Sequence, residues 1–185
     1  MANTATNVSV GKPKTAGGIY RAPLGTALPT DAVTALASTF VSVGYVAEGG
    51  VTNSNSMETD TYHAWGGDAV MIYQTGKDDT FAFGLIETLN TDVQKIVHGA
   101  ANVSGTMETG ITINANSADV EAGVWVIDMA LRGNVWKRIV IPNGKITEIG
   151  DVVYEDEAAI NYPVTVTALA DANGNTHYEY MAQGE

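Results

Sequence analysis

From Gly123 onward the chain is written as short β-prone runs separated by turn residues, and this spacing confines it to few architectures. GVWVIDMAL (123–131) and NVWKRIVI (134–141) flank Arg132-Gly133; IVI then meets KITEI (145–149) across Asn143-Gly144, a strong type I′ turn pair. VTVTALA (164–170) meets THYEYMA (176–182) across DANGN. Upstream, AVMIYQ (69–74) and TFAFGLI (80–86) flank the turn-like TGKDD, and SGTMETGITIN (104–114) alternates as one half-wet strand. Strands of this regularity, joined by tight turns, describe a mainly β, antiparallel sandwich or barrel. Leucine occurs only seven times against abundant Val, Thr and Gly, which favours strands over helices.

Helical signals are few. Thr91–Val97 fits a short helix, with Thr91 and Gln94 as a capping box, Val93, Ile96 and Val97 as an apolar stripe and Gly99 as the stop; the flanking helix is placed at about 91–98. Pro29 with Thr30 or Asp31 reads as a helix start over Thr30–Leu36. A strand FVSVGYV (40–46) then runs into a long polar stretch, AEGGVTNSNS, placed as a loop over 47–67. A structureless insertion of that length in a compact β domain is usually functional or reaches for a partner. Residues 1–29, rich in Gly, Pro, Thr and Ala, read as an N-terminal arm on a neighbour, and residues 30–185 as one domain.

Composition narrows the chemistry. The formal charge of −12 repels nucleic acid and anionic membranes unless charges segregate. Cysteine is absent, so no thiolate serves as nucleophile or ligand. No apolar leader or membrane-length run is evident, and the expectation is a protein made in the cytosol with no membrane partner. Asp60, His63 and Asp68 are close enough to suggest a metal, but no ligand spacing supports one. Serines lack a nucleophile elbow, and Gly17-Gly18, Gly49-Gly50 and Gly66-Gly67 form neither a P-loop nor a dinucleotide fingerprint. Neither catalytic residues nor cofactors are expected. Trp125 and Trp136 read as cross-strand packing within one hairpin, and Trp65, beside Gly66-Gly67, as an interface anchor. His98 reads as a cation favoured at a helix C-terminus.

Two runs carry a resemblance. LRGNVWKRIVIPNGKITEIGDVVYEDEAAINYPVTVTALADANGNTHYEY resembles the C-terminal half of the major tail proteins (tail tube proteins) of long-tailed, siphovirus-type phages, and LPTDAVTALASTFVSVGYVAEGGVT their N-terminal half. The resemblance implies a β-sandwich with a flanking helix, hexameric rings stacked into a tube, inner sheets joined around a lumen, and a virion location. Its partners would be further copies of the chain and other tail proteins such as the tape measure, tail terminator and distal tail protein, with genomic DNA passing through without specific binding. The loop 47–67 falls where such proteins place a stacking loop. Candidate inter-ring contacts are Val51, Thr52, Asn53, Asn55, Met57 and Trp65, with Tyr20 and Arg21 from the N-terminal arm. Candidate lumen-lining residues are Glu58, Asp60, Glu108, Asp119 and Glu121, because acids facing the bore would keep a duplex sliding. Lys137 and Arg138 are candidates for gripping an acidic neighbour. The chain ends just after the sandwich, leaving no room for the decoration domain some relatives add. Rival readings are another ring or tube former (a tail terminator, a secretion tube, a capsid-decorating protein) and, further off, a carbohydrate-binding sandwich.

Overall fold

A computed structural model describes residues 3–15 and 18–184. In chain order the strands are β1 (Lys12–Pro13), β2 (Ile19–Pro23), β3 (Val41–Ser42), β4 (Val46–His63) and β5 (Ala69–Leu85). Helix α1 (Thr91–His98) follows, then β6 (Val103–Thr106), β7 (Gly110–Ile113), β8 (Gly123–Leu131), β9 (Val135–Ile149), β10 (Tyr162–Ala168) and β11 (Tyr178–Gln183). All pairings are antiparallel. Two short 3-10 turns, Ala5–Asn7 and Ala100–Asn102, and a small β6–β7 hairpin complete the fold.

Strand β9 organises the sandwich. Its first half pairs with β8 on one side and β11 on the other, while residues 144–149 pair with β10. One half of the sheet is therefore β3-β2-β8-β9-β11, with β1 beside β2 on β8, and the other is β9-β10-β5-β4. Ile19, Trp125, Ile127, Ile139 and Ile141 of the first half share one buried cluster with Phe81, Phe83, Leu85, Val164 and Val166 of the second. The halves thus lie face to face, and Phe83 meets Trp125 edge-on at 5.9 Å. Strict alternation along β10, with Tyr162, Val164, Val166 and Ala168 inward, is what lets one face close on this core. Helix α1 adds Val93, Ile96 and Val97 to the same cluster. The outer face of the first half is covered too, by Leu28, Leu36 and Phe40 packed against Ala22, Val124, Val126 and Val140. β3 and β4 end the strand order without pairing to each other, so the sheet is open and not a closed barrel.

Several local expectations give way to tertiary contacts. The expected loop 47–67 is ordered as strand β4 and a five-residue turn, with Val51–His63 paired to β5 and an irregularity over 47–50. TGKDD lies inside β5 rather than turning it. Asn143-Gly144 lies inside β9: a Cβ at Gly144 would collide with the Trp125 ring, whose Nε1 donates to the Gly144 carbonyl at 3.1 Å, so this glycine serves a close approach. The segment 104–114 is two strands, β6 and β7, turned at Met107–Thr109.

Over 30–36 no helix forms. Asp31 Oδ1 accepts from the Val33 and Thr34 amides as expected of a cap, but Arg138 Nη1 takes the carbonyls of Asp31 and Thr34, the groups a helix would use. Of FVSVGYV only Val41–Ser42 and Val46 are strand. The α1 cap is Asn90, whose side chain accepts from the Asp92 amide, while Gln94 is buried against Tyr162. The Arg132-Gly133 hairpin forms as expected, with Gly133 at φ 77° and Asn134 at φ 58°. The DANGN turn forms at Gly174, yet β10 and β11 do not pair; they follow one another along β9. Gly17 lies outside the described residues.

Candidate assembly surfaces

The most prominent surface is the distal part of the β4–β5 hairpin. Residues Thr80–Leu85 of β5 pair with both β4 and β10, but Ala69–Asp79 pair only with β4. Beyond Asn55 and Asp79 the hairpin therefore projects as a two-stranded ribbon with solvent on both faces. An isolated ribbon of this kind is marginal in water. Its side chains are nonetheless apolar toward the tip: Met57, Tyr62, Val70, Met71, Ile72 and Tyr73 are exposed, and Trp65 is fully so. Apolar residues gathered on one projection mark an interaction surface.

A buried polar cluster fixes the ribbon where it leaves the sandwich. The Asp79 carboxylate is 1% exposed. It accepts from Asn53 Nδ2 at 2.8 Å and Thr176 Oγ1 at 2.6 Å, and pairs with His177 Nδ1 at 2.5 Å. Phe81 meets the His177 ring edge-on at 5.4 Å. Burial pushes the carboxyl up, but the bonds from Thr176, Asn53 and His177, with the charge on His177, together hold it below the usual carboxylate range. Strands β4 and β5 are thereby tied to the turn before β11.

The second surface is the outer face of β9-β10-β5-β4. Alternation places Thr52, Ser54, Ser56, Glu58 and Asp60 of β4 there, opposite Ala82, Thr80, Asp78, Gly76 and Tyr73 of β5. Thr165 and Thr167 of β10 and Lys145 and Glu148 of β9 continue the same face. It is a sheet of hydroxyls with scattered acids. Among the described residues both lateral margins of this four-stranded half lack ladder partners: β4 pairs only with β5, and past Gly144 the ladder of β9 runs only to β10.

Of the expected lumen residues, Glu58 and Asp60 lie together on this face. Asp119 lies in the loop before β8 and reaches it through Lys145, at 2.5 Å. Glu121 is in the same loop, where its carbonyl accepts from Arg21, and Glu108 sits apart in the β6–β7 turn. Asp78 and Glu148, the further acids of the face, were hidden in the sequence because their strands were broken at supposed turns.

Among the expected ring-to-ring residues, Thr52, Asn55, Met57 and Trp65 are exposed on the hairpin; Val51 packs against the core and Asn53 binds Asp79. Tyr20 and Arg21 belong to β2 inside the sheet: Tyr20 packs on the second buried cluster, and Arg21 lies over Trp125 at 5.7 Å. Arg138 is corrected outright. It is 2% exposed and forms a two-pronged pair with Asp128, at 2.7 and 2.8 Å, in addition to its two carbonyl contacts, so no neighbour can reach it. Lys137 is half-buried and paired with Glu179 at 2.9 Å. Trp125 and Trp136 are not partners; they oppose Ile141 and Ala130. Burial pushes the His98 imidazole down, which works against the helix-end cation expected of it. Among the described residues no group of His, Asp and Glu is arranged to hold a metal, and no helix is long and apolar enough to cross a membrane.

A family model for phage tail tube proteins matches residues 1–184. The chain belongs to this family. It is a structural protein of the phage virion tail, where tail tube proteins assemble with one another and with other tail components. A comparison with curated proteins gave no match. An open sheet margin and a projecting ribbon are hazards in a monomer, because unpaired edges and exposed apolar side chains invite association.

Proposed function

We propose that this tail tube protein assembles into hexameric rings that stack into a hollow tube, through which genomic DNA passes into the host. The observation that carries the reading is the pair of free margins on the four-stranded half. Successive strands alternate in direction, so β4 runs opposite to the 144–149 part of β9. A rotated copy can then place its β4 margin against that part of β9 as one more antiparallel pair. A heterologous contact of this type closes into a ring when the rotation fits, and closure removes every edge.

The hydroxyl-and-acid face then lines the bore. Lysine–phosphate contacts add affinity through counterion release, and this face offers few cations, so the duplex slides. Glu58, Asp60, Asp78 and Glu148 are the proposed lining acids, with Asp119 at the margin; Glu108 and Glu121 are not proposed for the bore. The exposed hairpin residues Thr52, Asn55, Met57 and Trp65 are proposed to contact other copies.

Electron microscopy of the purified protein at high concentration tests this reading. Hollow tubes of uniform bore are expected. Single rings that never stack would favour a tail terminator, and a solution of monomers at every concentration would end the proposal.

A further inference from the structure

The chain holds two Asn-Gly pairs, and the fold treats them differently. In such a pair the glycine amide nitrogen can attack the asparagine Cγ, with no Cβ to crowd its approach. Asn143-Gly144 is shut inside β9. Gly144 is buried, opposes Gly123 on one side and Ala168 on the other, and lies against the Trp125 ring. The Asn143 carbonyl accepts from the Leu169 amide at 2.8 Å. Asn173-Gly174 is exposed, in the turn before β11. There the Gly174 amide donates to the Asp171 carbonyl at 2.9 Å. Asn173 Nδ2 makes long contacts, both at 3.4 Å, with Asp171 Oδ2 and the Tyr178 hydroxyl. Opening this turn frees the Gly174 amide without breaking a sheet ladder, whereas freeing Gly144 means parting β9 from β8 and β10.

We infer that Asn173-Gly174 is a self-modification site, where the backbone rearranges through a succinimide to aspartate and isoaspartate with water as the only co-reactant. The Gly174 nitrogen gives up its proton and bonds to Asn173 Cγ; the Cγ–Nδ2 bond breaks and the side-chain nitrogen leaves as ammonia. Water then opens the ring. Attack at Cγ breaks its new bond to nitrogen and leaves aspartate in the original backbone. Attack at the backbone carbonyl carbon breaks the old peptide bond instead and leaves isoaspartate, whose chain runs on through the side-chain carbons. Nothing is oxidised or reduced. Both products set a new carboxylate beside that of Asp171, and isoaspartate also lengthens the backbone by a methylene. Asp171 is what shapes this turn: its Oδ1 accepts from the Asn173 and Asn175 amides at 2.8 and 3.1 Å, and its Oδ2 from the Tyr178 hydroxyl at 2.7 Å. The residues that follow, Thr176 and His177, bind Asp79. The rearrangement therefore loosens, as the protein ages, the tie between this turn and β5.

Peptide mapping by mass spectrometry tests the site on the purified full-length chain, kept for weeks at mildly alkaline pH in heavy-oxygen water. Asn173 should convert roughly a hundred times faster than Asn143, because a surface turn opens far more often than a core strand. Its products should have lost ammonia, gained heavy oxygen and separated into aspartyl and isoaspartyl forms. In concentrated urea, where neither pair is held, the two should react at similar rates. Asn173→Gln, whose longer side chain closes a ring far more slowly, should stay unmodified there. Equal rates at Asn143 and Asn173 in the folded chain, an Asn173 that reacts in urea but not when folded, or products without heavy oxygen would each overturn the site. Hydrogen exchange then reads the consequence. Amides of Thr176–Tyr180 should exchange about ten times faster in aged than in fresh wild type, and equally in aged and fresh Asn173→Gln. Unchanged exchange in chains that carry isoaspartate would overturn the loosening.

Discussion

Replacing Asp79 by Ala should cost far more stability than replacing its neighbour Asp78. The Asp79 side chain is 1% exposed and holds Asn53, Thr176 and His177 at 2.8, 2.6 and 2.5 Å. Its removal leaves three polar groups facing an empty site, and each buried group without a partner costs about 1–3 kcal/mol. Such losses are not additive within one cluster, so the expected total is about 3–5 kcal/mol. In a chain of 185 residues that lowers the melting temperature by about 6–20 °C. Asp78→Ala, on the exposed face one residue away, should stay within about 0.5 kcal/mol. Calorimetry and urea unfolding at neutral pH give both values. The pH dependence has a definite sign. Because the folded carboxyl sits below its unfolded value of about 3.9, its contribution is present above that pH and lost as pH falls through the folded value. The wild type should therefore lose stability below about pH 4 more steeply than Asp79→Ala. Equal melting temperatures for the two variants, or parallel acid profiles for wild type and Asp79→Ala, would refute the claim that this cluster anchors the hairpin.

Other expectations follow from the same contacts. Arg138→Met strands the Asp128 carboxylate and should cost about 3–5 kcal/mol in urea unfolding, while assembly at matched folded concentration is unchanged, since the residue is internal. Removing residues 58–76 and joining Met57 to Lys77 through Asn-Gly should leave the melting temperature within a few degrees, because the excised ribbon touches no core; sedimentation should then find subunits that no longer form tubes. Thr165→Lys with Thr167→Lys should fold and assemble, yet give tubes that retain duplex DNA at low salt and release it as salt rises, read by co-sedimentation.

The sequence disclosed the strands that alternate and the turns that close locally. β10 was legible because its inward residues recur at every second position, and the Arg132-Gly133 hairpin because its glycine sits where positive φ is needed. α1 was legible from Val93, Ile96 and Val97. The features that local sequence does not encode depend on distant partners. Asn143-Gly144 carries a turn signature, but its glycine answers to the Trp125 ring. The polar run 47–56 lacks an apolar alternation because it is an outer strand, and only its ladder with β5 makes it one. Arg138 reads as a surface cation in sequence; Asp128 faces it across the β8–β9 hairpin, but Asp31 and Thr34, whose carbonyls complete its burial, are far away along the chain. Of the expected contact residues, Thr52, Asn55, Met57 and Trp65 lie exposed on the hairpin, while Tyr20 and Arg21 are half-buried in β2, whose pairing with β3 and β8 depends on residues distant in the chain.

The central claim is that the margins of β4 and of residues 145–149 are completed by sister copies. Amide hydrogen exchange on dispersed subunits and on assembled protein tests it most directly. Assembly should slow exchange at outward-facing amides of β4 and of 145–149 together, while core strands such as β10 change little. Assembled tubes in which those two margins exchange as fast as in the dispersed subunit would contradict the account.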